Sequence, residues 1–293
     1  MSDPQYYLAE AEKLLKTQSG FLSFLSGSSS SMRQEEATDF IIQAANSYRL
    51  KKQFEKAGEQ FVRAADIQHK LGNHNDSANN LIEAYKCYKG VSPTDAIDSL
   101  KKAIHIFLTQ NGQFRRAANF TNDLAELYES VGDTPNAIQS YEQAGDYFTT
   151  DNSEALANKA FLKCADLSAL NGDYKKAIEL YDVIIKQSVG NSLTRWSLKD
   201  YFFKDVLCLL CLGDPIEAPK KVEKFLEDDP SFQQTREYKL IQDIFEAIDK
   251  GDLEGFSDKV FEYDQFSKLD KLKTQLLLKI KTSVVDKDDD ELL

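Results

Sequence analysis

The sequence predicts an all-α chain: a run of helical hairpins followed by a helical bundle. Three observations predict it. Glycine followed by Asn, Asp or Gln recurs as Gly72-Asn73, Gly112-Gln113, Gly132-Asp133, Gly172-Asp173, Gly213-Asp214 and Gly251-Asp252, with one interval of 20 residues and the others near 40. Apolar residues after these glycines fall at helical spacing. No segment alternates convincingly with period two. The 293 residues, 42% apolar and 29% charged, suffice for a core, and a soft prior of ~150 residues per domain allows about two domains.

Prolines mark boundaries from the start (Pro4, Pro93, Pro135, Pro215, Pro230), with Pro219 near the beginning of its helix. Residues 17–31 are predicted to be a flexible loop, because glycine and serine flank both sides. Inside it Phe21, Leu22, Phe24 and Leu25 have no local helix to bury them. Either the loop folds back onto the first helices, or these side chains enter a bilayer or a partner. Burial at ~1.5–3 kcal/mol each, as an upper bound, gives a reversible anchor that needs a second contact.

Beyond the loop, the stripes Ala78/Ile82/Tyr85, Ala137/Tyr141/Ala144, Ala177/Tyr181/Ile184 and Ala218/Val222/Phe225 each occupy i, i+4 and i+7 after a glycine. Alanine admits a neighbouring helix and the large residue fills the groove one turn on. Ala96/Leu100/Ala103 repeats the stripe behind Pro93, a suitable first-turn residue. Glycine with Asp or Asn suits a helix C-cap followed by the next N-cap. Residues 172–181, Gly-Asp-Tyr-Lys-Lys-Ala-Ile-Glu-Leu-Tyr, resemble the second helix of a tetratricopeptide repeat. The longer beat, against about 34 residues in that family, requires longer helices or turns. Residues 1–200 are therefore expected to form a twisted solenoid of hairpins. Apolar density rises through Trp196, Tyr201, Phe202, Phe203 and Leu207 and predicts a more globular helical bundle over 201–285. The acidic tail 286–293 is too charged to fold alone.

The net charge of −12 argues against general coating of nucleic acid, while leaving room for a local basic patch. The longest apolar run, Val206–Leu212, is far short of the ~20 residues a membrane helix needs, and the N-terminus has no secretory pattern. Cys87, Cys164, Cys208 and Cys211 read as reduced thiols of a cytosolic protein. Cys208 and Cys211 have redox spacing but sit in an apolar helix, which favours core thiols. His69, His74 and His105 lack a ligand partner at i+3 or i+4, so no metal site is expected. No glycine-rich phosphate loop is present. Nothing positive supports an enzyme or a cofactor.

Binding features remain. Lys159 and Lys163, four apart, project from one helix face, with Ala155 and Asp166 continuing the row and only partly neutralising it. Arg115-Arg116 opens a helix, and Lys51-Lys52, Lys101-Lys102 and Lys175-Lys176 add pairs. These are either ordinary solvated faces or a basic stripe for an acidic helical partner. The C-terminus joins Asp288, Asp289, Asp290 and Glu291 to Leu292-Leu293, the pattern of a peptide ligand for a basic partner with an apolar pocket.

Tyr48-Arg-Leu-Lys-Lys, Glu83-Ala-Tyr-Lys-Cys-Tyr, Gly112-Gln-Phe-Arg-Arg-Ala-Ala-Asn-Phe120, Lys163-Cys-Ala-Asp-Leu167, Trp196-Ser-Leu-Lys-Asp-Tyr-Phe202 and the Asp-Asp-x-Glu-Leu-Leu end resemble, in order and spacing, the soluble NSF attachment protein (alpha-SNAP) family, nearest its fungal vesicle-priming branch. The resemblance runs the length of the chain. It implies an adaptor without ATPase activity that wraps an assembled SNARE four-helix bundle. The adaptor recruits and stimulates the hexameric AAA ATPase NSF, whose work separates the SNAREs and primes vesicle fusion in intracellular transport. It further implies a cytosolic, peripheral membrane protein, monomeric when free and present in several copies in the assembly. By position, Phe21, Leu22, Phe24 and Leu25 match the membrane loop, although Leu22 and Leu25 are not the same residues in every member. Lys159 and Lys163 match SNARE-contact positions, and Arg115 and Arg116 are added to them. Glu227, Asp228, Asp229, Glu246 and Asp249 fall where the family faces the basic N-domains of NSF, with Lys250 standing where some members have another acid. Asp288–Glu291 and Leu292-Leu293 match the tail that stimulates the ATPase. The rival reading is a generic tetratricopeptide-like scaffold for acidic or C-terminal peptides.

Overall fold

The structure, a computed structural model, describes residues 3–16, 30–110, 112–191, 194–214 and 216–290, with side chains to residue 283. Every regular element among them is a helix: α1 Pro4–Lys16, α2 Ser30–Leu50, α3 Phe54–Lys70, α4 His74–Tyr88, α5 Pro93–Thr109, α6 Phe114–Ser130, α7 Thr134–Thr150, α8 Glu154–Leu170, α9 Tyr174–Ser188, α10 Arg195–Cys211, α11 Glu217–Asp228, a short 3-10 helix Pro230–Gln234, α12 Arg236–Lys250, α13 Leu253–Phe266 and α14 Lys271–Asp290. The all-α expectation holds.

Helices α3 to α9 begin at Phe54, His74, Pro93, Phe114, Thr134, Glu154 and Tyr174, one every 19 to 21 residues. The 40-residue beat is thus two helices of up to 17 residues with three- or four-residue turns. All six glycines of the beat have positive φ. In the Schellman closure that this conformation permits, the Asn73, Asp133, Asp173 and Asp252 amides donate to the carbonyls of Gln68, Tyr128, Ser168 and Ala247, each at 2.9 Å. The same closure occurs at two turns without glycine, where Lys52 (φ 58°) and Asn152 (φ 56°) take the left-handed position. A search on glycine therefore misses them and sees the 20-residue pitch only once. Asp133, Asp173 and Asp252 also cap the next helix, accepting from the amides of Asn136, Lys176 and Gly255. Asn73 and Gln113 make no such cap bond.

The chain divides into two compact units, Met1–Ala157 and Asn158–Leu293. In the first, each helix from α1 to α7 packs on the next. The predicted stripes line these contacts: Ala78, Ala96, Leu100, Ala103, Ala137 and Ala144 are wholly buried and Tyr141 nearly so. Gly58 on α3 lets the Tyr88 ring of α4 approach so closely that a β-carbon there would lie 2.5 Å from it.

The second unit is organised around α10, on which α9, α11, α12 and α14 all pack. Phe202, Phe203, Val206, Leu207 and Cys208 are fully buried. Phe202 stacks on Phe225 of α11 at 4.2 Å and meets Phe232 edge-on. The bundle expected to start at residue 201 would cut this helix, because the apolar rise at 196–207 is α10 itself. Two other boundaries also differ. Ser30 and Ser31, placed in the loop from sequence, open α2. Helix α14 carries the backbone of the predicted tail as far as Asp290.

Candidate partner-binding site

Lys159 and Lys163 are both exposed on α8 in the second unit. Asp166, expected to continue their row, turns inward instead. It receives both a bidentate contact from Lys204 Nζ, 3.1 Å to each oxygen, and the Tyr181 hydroxyl at 2.6 Å. Burial, reinforced by the Asp166 charge, keeps the Tyr181 phenol protonated well above its ordinary range. The acid on this face is thereby consumed inside the unit, and the two lysines present their charge outward without it.

The arginine pair of the first unit splits. Arg115 is 64% exposed and lies 3.4 Å from Asp151. Arg116 is half-buried: its guanidinium sits 4.2 Å above the Phe107 ring and donates to Gln113 at 3.0 Å and Asn79 at 2.7 Å. It is a strut between α4 and α6, whereas Arg115 stays largely exposed in its ion pair with Asp151.

The acidic candidates gather at helix ends. Glu227 and Asp228 are exposed in the last turn of α11, and Glu246 and Asp249 in the last turn of α12. Helix C-termini carry partial negative charge, so exposed acids there work against local stability. Lys250 offsets one of them, since its contact holds the Glu246 carboxyl below the usual range. Asp229 is different. It caps the 3-10 helix, accepting from Ser231 N at 3.1 Å and Oγ at 2.7 Å, and lies 3.6 Å from Arg195.

One feature escaped the sequence reading. Trp196, which belongs to the apolar rise that predicts the bundle, is 85% exposed. It borders a cleft of about 760 Å³ together with Arg195, Lys199, Phe232 and Arg236. Lys199 donates to the buried Glu237 at 3.0 Å, and Arg236 lies over the Phe266 ring at 5.2 Å. The tight pattern Arg195-Trp196-x-x-Lys199 was a usable signal. It was masked because the next two turns are densely apolar.

The Cys208 and Cys211 thiols are held in the protonated form. Burial pushes Cys211 up to about 12 and Cys208 higher still. His69 and His74 face each other across their turn, ring centres 5.1 Å apart, and His74 Nδ1 is buried with no hydrogen-bond partner among the described residues. Among the described residues no group of three His, Cys, Asp or Glu could hold a metal ion, and no helix is long and apolar enough to cross a membrane. Phe21, Leu22, Phe24, Leu25, Glu291, Leu292 and Leu293 lie outside the described residues. Asp288, Asp289 and Asp290 are described only as helical backbone.

A family profile described as "Soluble NSF attachment protein, SNAP" matches residues 2–285. The chain is 47% identical over 292 residues to the vesicular-fusion protein SEC17 of Komagataella phaffii, covering 99% of this chain and 98% of that one. It is 45% identical over 292 residues to the alpha-soluble NSF attachment protein of Saccharomyces cerevisiae, covering 99% of each. To the human alpha-soluble NSF attachment protein it is 37% identical over 284 residues, covering 97% of this chain and 95% of the human one.

Proposed function

The chain belongs to the soluble NSF attachment protein family, and from that membership we propose that it is the adaptor that grips an assembled SNARE four-helix bundle and brings an NSF-type AAA ATPase to it, priming vesicle fusion. The observation that supports this reading best is the placement of charge in the second unit. Outward lysines stand where the neighbouring acid has been drawn inside, and exposed acids crowd two helix C-termini that local stability would leave free of them. A SNARE bundle is an acidic coiled-coil rod, which suits Lys159 and Lys163, with Arg115 as a further contact and Arg116 as its support. The NSF surface is basic, which suits Glu227, Asp228, Glu246 and Asp249, with Asp229 shaping the turn beside them.

Exposed ion pairs are worth roughly 0–1 kcal/mol each. The grip must therefore come from several pairs, several adaptor copies, and membrane attachment acting through effective concentration. Phe21, Leu22, Phe24 and Leu25 would supply that attachment at the cytosolic face of the membrane. Asp288 to Glu291 would steer the tail to NSF, and Leu292 and Leu293 would engage it there. The role needs no catalytic group or cofactor of the adaptor's own.

The test is reconstitution. Assembled SNARE bundles, NSF and ATP are incubated with and without the chain, and free SNAREs are measured. Disassembly that requires the chain, together with its retention on immobilised SNARE bundles before NSF is added, is the expected result. Retention of NSF without SNARE binding, or disassembly indifferent to the chain, would overturn the proposal in favour of a peptide-binding scaffold.

A further inference from the structure

Four charged residues of α10 each reach a different neighbour: Lys199 meets Glu237 of α12, Asp200 meets Lys273 of α14, Lys204 meets Asp166 of α8, and Asp205 meets Lys221 of α11. Three of these contacts are well formed. The fourth is not. Asp205 is fully buried, and neither carboxylate oxygen accepts a hydrogen bond among the described residues. Its one close charge, Lys221 Nζ at 3.4 Å, is drawn away toward Asp182 of α9 at 2.7 Å. Lys224 of α11 adds a more distant attraction and Asp182 a repulsion. Asp166, Glu237 and Lys273, the charges that α8, α12 and α14 bring to this helix, are engaged by the other three α10 residues.

We propose that α11 is a proton-linked flap: it is held firmly on α10 while Asp205 carries a proton, and it loosens when Asp205 ionises. Burial, outweighing Lys221, pushes this carboxyl up to about 7. Lifting α11 would hydrate the group and return it to the usual range near ~4. The closed state therefore holds the proton more tightly than the open one, so its advantage is fully present below about pH 4 and is lost as the pH rises through 7. Helix α11 has only 12 residues and is held by Ala218, Val222 and Phe225. It also bears Glu227 and Asp228, so its looseness would tune the acidic edge assigned above to NSF. The flap itself does not depend on that assignment.

Hydrogen exchange of the whole protein at pH 5.5 and pH 8, corrected for intrinsic rates, tests it. Protection of the α11 amides is expected to fall at least about tenfold across this range in the parent and to stay level in Asp205→Asn. Lys221→Met, which removes the offsetting cation, should lower α11 protection at pH 8 below the parent's. Equal pH dependence in parent and Asp205→Asn overturns the proposal, as does a loss spread evenly over α9, α10 and α11. Should Asp205→Asn fail to fold, carbon-13 titration of the parent's aspartate carboxyls decides: a midpoint near 7 for Asp205 that coincides with the loss of α11 protection supports the flap, and an ordinary midpoint, or a raised one with level α11 protection, overturns it.

Discussion

Gly58 lies within α3, and a β-carbon there would press to 2.5 Å from the buried Tyr88 ring. Alanine at an open helix position would gain about 1 kcal/mol over glycine. Here overpacking at ~1–3 kcal/mol outweighs that gain, so Gly58→Ala is expected to lower the unfolding midpoint, while Gly58→Ala with Tyr88→Leu should recover part of it. The lysines of α8 are the opposite kind of residue, exposed and outside the internal ion pairs. Lys159→Glu with Lys163→Glu should leave helix content and thermal stability unchanged and reduce SNARE-bundle affinity. The reduction should shrink as salt rises, because exposed charges are screened. Binding isotherms at low and high salt check this, and parental affinity at low salt would contradict the assigned role.

The last turns of α11 and α12 set local stability against binding. Asp228→Lys with Asp249→Lys places cations where the helix dipole favours them and should stabilise the chain by ~0.3–1 kcal/mol per site. The same change removes charge meant for a basic partner. A higher melting temperature with weaker NSF recruitment, at unchanged SNARE binding, is the expected combination. A variant that is more stable and recruits NSF normally would show these acids to be ordinary surface charge. The helices themselves were legible in the sequence, because caps, alanine stripes and first-turn prolines act within a few residues. The turn at Lys52 was not, because nothing local marks a lysine that adopts positive φ, whereas asparagine, which tolerates the left-handed region best after glycine, was a usable mark at Asn152.

Across the molecule, activation can be separated from affinity at the C-terminus. Burying two leucines contributes at most ~3–6 kcal/mol, less the cost of ordering the segment. Leu292→Ala with Leu293→Ala should leave SNARE binding intact and NSF recruitment only partly weakened. ATP hydrolysis at saturating adaptor, and SNARE release with it, should fall much further if the leucines bias NSF toward its active state. Hydrolysis that returns to the parental rate at high adaptor concentration would mean that they add affinity alone. Several weak contacts in series, tightened by multiple copies, also make the assembled complex more sensitive to salt than the fold of the adaptor itself.

The sequence by itself determined the helices, their beat near forty residues and the buried stripes, since each follows from local patterns, whereas the regular pitch of about twenty needed the helix starts themselves. It also carried the family resemblance, which is spread along the whole chain. Only the tertiary structure decided which charges are left for partners. Asp166 is taken by Lys204 and Glu237 by Lys199, each 38 residues away, Arg116 is spent across two helices, and Trp196 stands outside the core. The physical reason is that a charged or aromatic side chain takes its role from the groups it meets in space. Those groups come from helices that no local periodicity can bring together.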